Sequence, residues 1–296
     1  MNLHAPELQR PEVVMDDPIQ LQDLYDFYAC FVPNPRIAKI GYGVMKRVFR
    51  NDISFSPSPD DAEGIAVEYD DGTRQQIGEH LANGGQFMFV CNHQEIRPFP
   101  TWQPKMKTSF EQYVMAAAVL QVEELAPVAA DTYIWSKAEL SQRTNASRWF
   151  IDGMGQIPVF RKSDTLDPET GEPDPKKVQL LKIATDLLIE ASIARHNRGG
   201  HGALLPEGKR APFDNPTILP LKGGIGLILS RIDREINMKV VSMAIDYGPE
   251  KKIANFKPRL HINRPIQFDY SIPSRTVDFV HDDLQSALDS VRSRRP

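Results

Sequence analysis

The sequence of 296 residues is poor in cysteine, in excess charge of either sign and in long hydrophobic runs. Its two cysteines, Cys30 and Cys91, are too few for a disulfide framework or a zinc cluster, and they suit a reducing, cytoplasmic environment. The 35 basic and 39 acidic side chains give a net charge of −4, which argues against a polybasic nucleic-acid-binding protein. No apolar run reaches the roughly 18 residues of a membrane span, and the first ten residues are not a signal peptide.

Hydrophobic residues make up 41% of the chain and charged residues 25%, which is typical of a soluble globular protein. A domain of this length buries about three quarters of its unfolded surface, so its core needs no disulfide or metal. Small secreted, integral membrane, collagen-like and disordered proteins are therefore excluded. An enzyme, a binding module and a peripheral membrane protein remain.

Residues 1–75 are predicted to form an N-terminal arm with two helices and a linker. Asp16, Asp17 and Pro18 are typical of a helix start, and apolar residues follow them at helical spacing. A second helix is predicted between Ile37 and Arg50, where apolar and basic residues recur together. This helix has either a solvated basic face or a face that meets anionic lipid headgroups. One short strand is expected within 51–75.

Residues 76–296 are predicted to form an α/β domain. Short apolar runs bounded by turn residues predict strands, and apolar residues repeated every three or four positions predict helices. Their alternation is typical of a largely parallel central sheet flanked by helices. The predicted strands are 86–91, 132–135, 157–160, 203–205, 239–245, 259–262 and 266–268; the predicted helices are 110–120, 176–195 and 223–232; and 163–175 is predicted to be an exposed acidic loop.

Four segments place reactive or cationic side chains directly after predicted strands or at a helix start. Functional groups of open α/β sheets collect at the carboxyl ends of strands, so we expect these segments to meet. Glycine-containing turns with cations and helix starts both favour a phosphate. Taken alone, the histidine could equally be a buried structural residue, and each cationic segment could be a charged surface turn. The segments are Asn92-His93-Gln94, Gly155 to Lys162 with Arg161, Pro206-Glu207-Gly208-Lys209-Arg210, and Lys222-Gly223-Gly224.

Together with Lys137-Ala138-Glu139-Leu140, these segments resemble the blocks of the glycerol-phosphate and lysophosphatidate acyltransferase family, in the same order. The resemblance covers about residues 85–268. It departs at the family's catalytic carboxylate, because Pro98 stands where the family has Asp five residues after its His. Glu95 is one substitute. Glu111 is the favoured one, on the reading that residues 95–108 are an insertion. Lys209 replaces the family's Thr.

The resemblance implies transfer of a fatty acyl group from acyl-CoA or acyl carrier protein to a hydroxyl of a phosphorylated glycerol or lyso-lipid, with lysophosphatidate favoured. His93 would be the general base, held by Glu111 or Glu95. It implies no metal and no organic cofactor, a cytoplasmic protein, and peripheral contact with anionic membrane through the 37–50 helix. The alternatives are a catalytically silent lipid-binding relative, or acylation of a glycolipid or glycerol 3-phosphate. The residues expected at the acceptor phosphate are Arg161, Glu207, Gly208, Lys209, Arg210 and Lys222.

Overall fold

The computed structural model describes residues 15–30, 66–94, 122–125, 128, 131–137, 155–212, 215–247 and 259–293. Seven strands and five helices occur in these ranges. The strands are β1 (Ala66–Tyr69), β2 (Gln86–Cys91), β3 (Thr132–Lys137), β4 (Gln156–Val159), β5 (His201–Leu204), β6 (Met238–Asp246) and β7 (Arg259–Ile262). The helices are α1 (Pro18–Cys30), α2 (Thr73–Ala82), α3 (Pro175–His196), α4 (Gly224–Arg231) and α5 (Pro273–Ser293).

The seven strands form one sheet in the order β1-β7-β6-β2-β5-β3-β4. β2 pairs in parallel with β5 and β6, and β3 pairs in parallel with β4 and β5. β7 is antiparallel to β6 and parallel to β1. The predicted α/β fold with a largely parallel sheet is therefore confirmed. The carboxyl ends of β2 to β6 all lie at one edge, which we call the carboxyl edge.

The core lies between the sheet and its helices. All six residues of β2 are buried, as expected for a central strand of a parallel sheet. One cluster joins β2, β5 and β6 to α3, α4 and α5, and a second joins β3 and β4 to α1 and α3. Leu21, Leu24, Tyr25 and Tyr28 of α1 are buried at the predicted helical spacing. No helix among the described residues has both the length and the apolar character needed to cross a bilayer.

Most predicted elements are confirmed to within three residues at each end, and the structure differs from the prediction in three places. In the predicted 163–175 loop, Lys162–Thr165 forms a 3₁₀ turn with Thr165 fully buried, and Leu166 pairs with Pro173 across a hairpin whose tip is exposed. The predicted strand 266–268 is reduced to a single bridge between Ile266 and Val240. The helices α2 and α5 were not predicted. The predicted helices at 37–50 and 110–120 lie outside the described residues.

Candidate functional site

Asn92 fixes the end of β2 immediately before His93. Its side-chain Nδ2 donates to the Ile245 carbonyl at 2.9 Å, and its Oδ1 accepts from the Ile245 amide at 2.7 Å. The side chain thus imitates a strand pairing with β6 at the point where the β2 ladder stops. Because Asn92 is buried, this pair of hydrogen bonds sets the direction in which the chain leaves the sheet.

The backbone of His93 is held from both sides. Its amide donates to Glu207 Oε1 at 2.6 Å, and its carbonyl accepts from the Ala211 amide at 2.6 Å. Both partners belong to the segment that follows β5, which is the neighbour of β2 in the sheet. The turn at 206–210 therefore fixes the position of the His93 backbone.

Glu207 connects three segments beneath the carboxyl edge. Its second oxygen, Oε2, accepts from the Leu219 amide at 2.8 Å, and the residue is 1% exposed. One carboxylate thus joins the end of β2, the turn after β5 and the segment 215–222, which we call the 215–222 loop. In the structure the Glu207 carboxylate binds these backbone amides. The sequence-based expectation that Glu207 also contacts the acceptor phosphate stays a prediction.

Gly208 allows the 206–210 turn to lie against Lys222. Its φ of +67° is in the left-handed region, and its amide donates to the Leu205 carbonyl at 3.1 Å. A Cβ at this position would lie 3.0 Å from Lys222 Cγ. The Lys222 amide also donates to the Pro206 carbonyl at 2.8 Å. These contacts bring Lys209 and Lys222 to the same wall of a cavity.

The cavity has a volume of about 520 Å³ and opens at the carboxyl edge. His93, Gly208 and the cationic side chains of Arg161, Lys162, Lys209 and Lys222 line it, and none of the lining residues in the described part of the chain is acidic. We call these four side chains the cation cluster. None of them makes a salt bridge with any residue in the described part of the chain. A bound anion would therefore meet cations that have no carboxylate partner there.

The other lining residues of the cavity are mainly apolar, and we call them the apolar wall. Trp135 is held by a hydrogen bond from its Nε1 to Ser192 Oγ at 2.9 Å and by the close approach of Gly224, where a Cβ would lie 3.1 Å from the indole. Helix α1 contributes Tyr25, whose hydroxyl donates to the Pro158 carbonyl at 2.8 Å; burial raises the pKa of Tyr25, so this donor stays protonated. The other apolar lining residues include Val159, Phe160, Leu181, Ala184, Leu188, Leu204 and Ile225.

No family model fits the chain, and no curated protein is significantly similar to it in sequence. The site is therefore interpreted from its own geometry. A cavity with a histidine, a cluster of cations and apolar lining residues suits a ligand that is both anionic and partly hydrophobic.

The structure brings together part of the predicted site. Arg161, Gly208, Lys209 and Lys222 share the cavity with His93, as the parallel topology predicts. Glu207 lies buried among the backbone segments that carry these residues, and Arg210 is half-buried and is not among the lining residues. Glu95, Glu111 and the 138–140 part of the Lys-x-Glu-Leu block lie outside the described residues.

Lys162 ends the predicted Gly155-to-Lys162 segment and lines the cavity beside Arg161, as expected for the cations of that edge. Sequence reasoning missed the aromatic lining residues. Tyr25 and Trp135 carry only a core signal in the sequence, because their place in the cavity depends on how α1 and β3 pack. Tyr25 and its partner Pro158 are 133 positions apart in sequence, so no local pattern predicts their contact.

Proposed function

We propose that this protein is an acyltransferase that moves a fatty acyl group from a thioester donor to the hydroxyl of a phosphorylated glycerol or lyso-lipid acceptor, with lysophosphatidate favoured. The observation that carries the proposal is the shared cavity of His93, the cation cluster and the apolar wall. A phosphorylated acceptor needs the cations, an acyl chain needs the apolar wall, and a hydroxyl nucleophile needs a base.

In the proposed reaction His93 accepts the proton of the attacking hydroxyl. The hydroxyl oxygen forms a bond to the thioester carbonyl carbon, and the carbonyl oxygen carries the negative charge of the tetrahedral intermediate. The carbon–sulfur bond then breaks, and the thiolate leaves with the proton that His93 had taken. A positioned general base contributes about 10²- to 10⁴-fold to such a reaction.

The cation cluster would hold the phosphate of the acceptor. Charge-assisted hydrogen bonds to phosphate are roughly twice as strong as neutral ones, and the guanidinium of Arg161 can make two in parallel. Holding the phosphate on these side chains would keep the acceptor hydroxyl beside His93, which lines the same cavity. Positioning of this kind accounts for a large share of the rate in bimolecular transfers.

A carboxylate partner for His93 is part of the proposal. Glu111 is favoured over Glu95 because residues 95–108 are interpreted as an insertion. The carboxylate would keep the imidazole of His93 in one tautomer and stabilise its protonated form. Peripheral contact with anionic membrane through the basic 37–50 segment is also proposed, because a lyso-lipid acceptor resides in a membrane.

The test is a thiol-release assay with palmitoyl-CoA and three acceptors: lysophosphatidate, glycerol 3-phosphate and an unphosphorylated monoacylglycerol. We expect His93→Ala to lower kcat about 10²- to 10⁴-fold. Lys222→Met should raise KM for the phosphorylated acceptors only. Lys182→Met is the matched control, because Lys182 is exposed on α3 and does not line the cavity. Its kinetic constants should equal those of the parent.

Several outcomes would contradict the proposal or its details. A parent protein that releases no thiol with any acceptor, yet binds lipid, is a silent lipid-binding relative. If Glu111→Gln keeps full activity and Glu95→Gln does not, Glu95 is the partner of His93. Liposome flotation tests the membrane contact: unchanged binding of a Lys46→Glu, Arg47→Glu double variant to anionic vesicles would remove it.

A further inference from the structure

Helix α5 holds the 215–222 loop from the side opposite Glu207. Gln285 Oε1 accepts from the Ile218 amide at 2.8 Å, one residue before the Leu219 amide that donates to Glu207. Arg292 donates to the Pro216 carbonyl and, at 2.9 Å, to the Asn215 carbonyl. Two adjacent amides of the loop are therefore bound by side chains from different parts of the fold: Gln285 of α5 accepts from one, and Glu207 of the turn after β5 accepts from the other.

The far end of the same loop carries Lys222 into the cavity. Lys222 is fixed by its amide bond to the Pro206 carbonyl and by contact with Gly208. Between the contacts of α5 and Lys222 lie only Leu219, Pro220 and Leu221, so the loop has little length over which to absorb a displacement. A proline among these three residues removes one more backbone freedom.

We infer that Gln285 is a positioning residue for anion binding: it acts through the 215–222 loop to hold Lys222 in the cation cluster. No sequence block contains Gln285, which lies 63 residues beyond Lys222 on a helix that packs mainly on β6, β7 and α4. The inference concerns the anion-binding cavity alone and does not require that the protein transfer acyl groups.

Inorganic phosphate is the probe, titrated by calorimetry into the full chain. Gln285→Met keeps the length of the side chain but has no oxygen to accept from the Ile218 amide. If the loop transmits the whole free energy of this lost hydrogen bond to the cavity, the Kd for phosphate should rise about two- to tenfold. Gln285→Glu combined with Asp289→Asn restores an acceptor oxygen, keeps a donor next to the second carboxylate oxygen, and should recover most of the affinity. Asp289→Ala is the control, because it removes the partner of Gln285 Nε2 and leaves the loop contact intact.

A double-mutant cycle with Lys222→Met separates positioning from a general structural role. If Gln285 acts through Lys222, adding Gln285→Met to Lys222→Met should weaken phosphate binding no further, although it still lowers the free energy of unfolding. An equal loss of affinity in both backgrounds would overturn the inference, and so would a Gln285→Met protein that binds phosphate as the parent does. Under the proposed function, the same variant should raise KM for phosphorylated acceptors and leave kcat unchanged. If the protein transfers no acyl group but Gln285 and Lys222 remain coupled in phosphate binding, the proposed function is refuted and this inference stands.

Discussion

Replacement of Glu207 by glutamine separates a structural carboxylate from one that contacts ligand. Glu207→Gln keeps the size of the side chain and exchanges one carboxylate oxygen for an amide NH₂. One of the two backbone donors, the amide of His93 or that of Leu219, then keeps an acceptor. The other meets an NH₂ group, which is itself a donor.

The expected cost follows from these contacts. A hydrogen bond to a charged group contributes about 1.5–3 kcal/mol, and a buried N–H left without an acceptor costs about 1–3 kcal/mol. Because Glu207 is 1% exposed, water cannot readily replace the lost acceptor. We therefore expect the free energy of unfolding to fall by about 3 kcal/mol. With an unfolding entropy of roughly 0.6 kcal/mol per kelvin for a chain of this length, Tm should fall by about 5 °C.

Urea unfolding followed by far-UV circular dichroism measures this loss. Glu190→Gln is the matched control, since Glu190 pairs with Arg231 on the surface and both side chains are about half exposed. Exposed pairs of this kind contribute about 0–1 kcal/mol, so the control should unfold close to the parent.

If Glu207→Gln is within about 0.5 kcal/mol of the parent in unfolding free energy but binds phosphate or a phosphorylated acceptor much more weakly, the carboxylate contacts the ligand and not the backbone. The sequence-based role of Glu207 at the acceptor would then be correct.

Two further predictions concern the turn and the sheet. Gly208→Ala should cost about 1–2 kcal/mol, because its φ of +67° is unfavourable for alanine, and it should weaken phosphate binding because the new Cβ meets Lys222; Gly223→Ala, which has open space, is the control. Burial and the nearby His80 lower the pKa of His201 from 6.5 to about 4. The unfolded chain therefore binds more protons below pH 6.5, and about 2 to 3 kcal/mol of stability should be lost between pH 7.5 and 4.5. His201→Gln should flatten this pH dependence by that amount, and an unchanged slope would show that His201 does not cause it.

The elements that the sequence predicts best carry both a start signal and a buried pattern. At α3, Asp174 accepts hydrogen bonds from the amides of Lys176 and Lys177, and Pro175 occupies the first turn, as these residue types predict. Helix α2 lacks such a signal, because it follows Gly72 with no capping side chain. Helix α5 has a clear apolar stripe at helical spacing, in Val280, Leu284, Ala287, Leu288 and Val291, so its pattern was available in the sequence and was overlooked.

For the candidate site, the sequence predicts which segments meet but not which atoms touch. Parallel strands bring His93, Arg161 and Lys209 to one edge whatever the details of packing. The contact of Glu207 with the Leu219 amide depends instead on the path of the 215–222 loop. That path is fixed by α5, far along the chain. Long-range backbone contacts of this kind leave no periodicity or motif in the sequence.

The net charge of −4 is compatible with the proposed anion-binding cavity, because three acidic residues that follow Arg161 in sequence bond to the backbone of their own loop. Asp164 accepts from the Arg161 amide, Asp167 accepts from the amides of Glu169 and Thr170, and Asp174 caps α3. These carboxylates therefore stabilise backbone turns and leave the cation cluster without an ion-pair partner among the described residues. Four like charges around one cavity repel one another when it is empty, and a phosphate relieves that repulsion while a neutral headgroup does not. We accordingly expect the protein to discriminate among acceptors by their phosphate, and raised salt to reduce that discrimination because the cationic side chains are solvent-exposed.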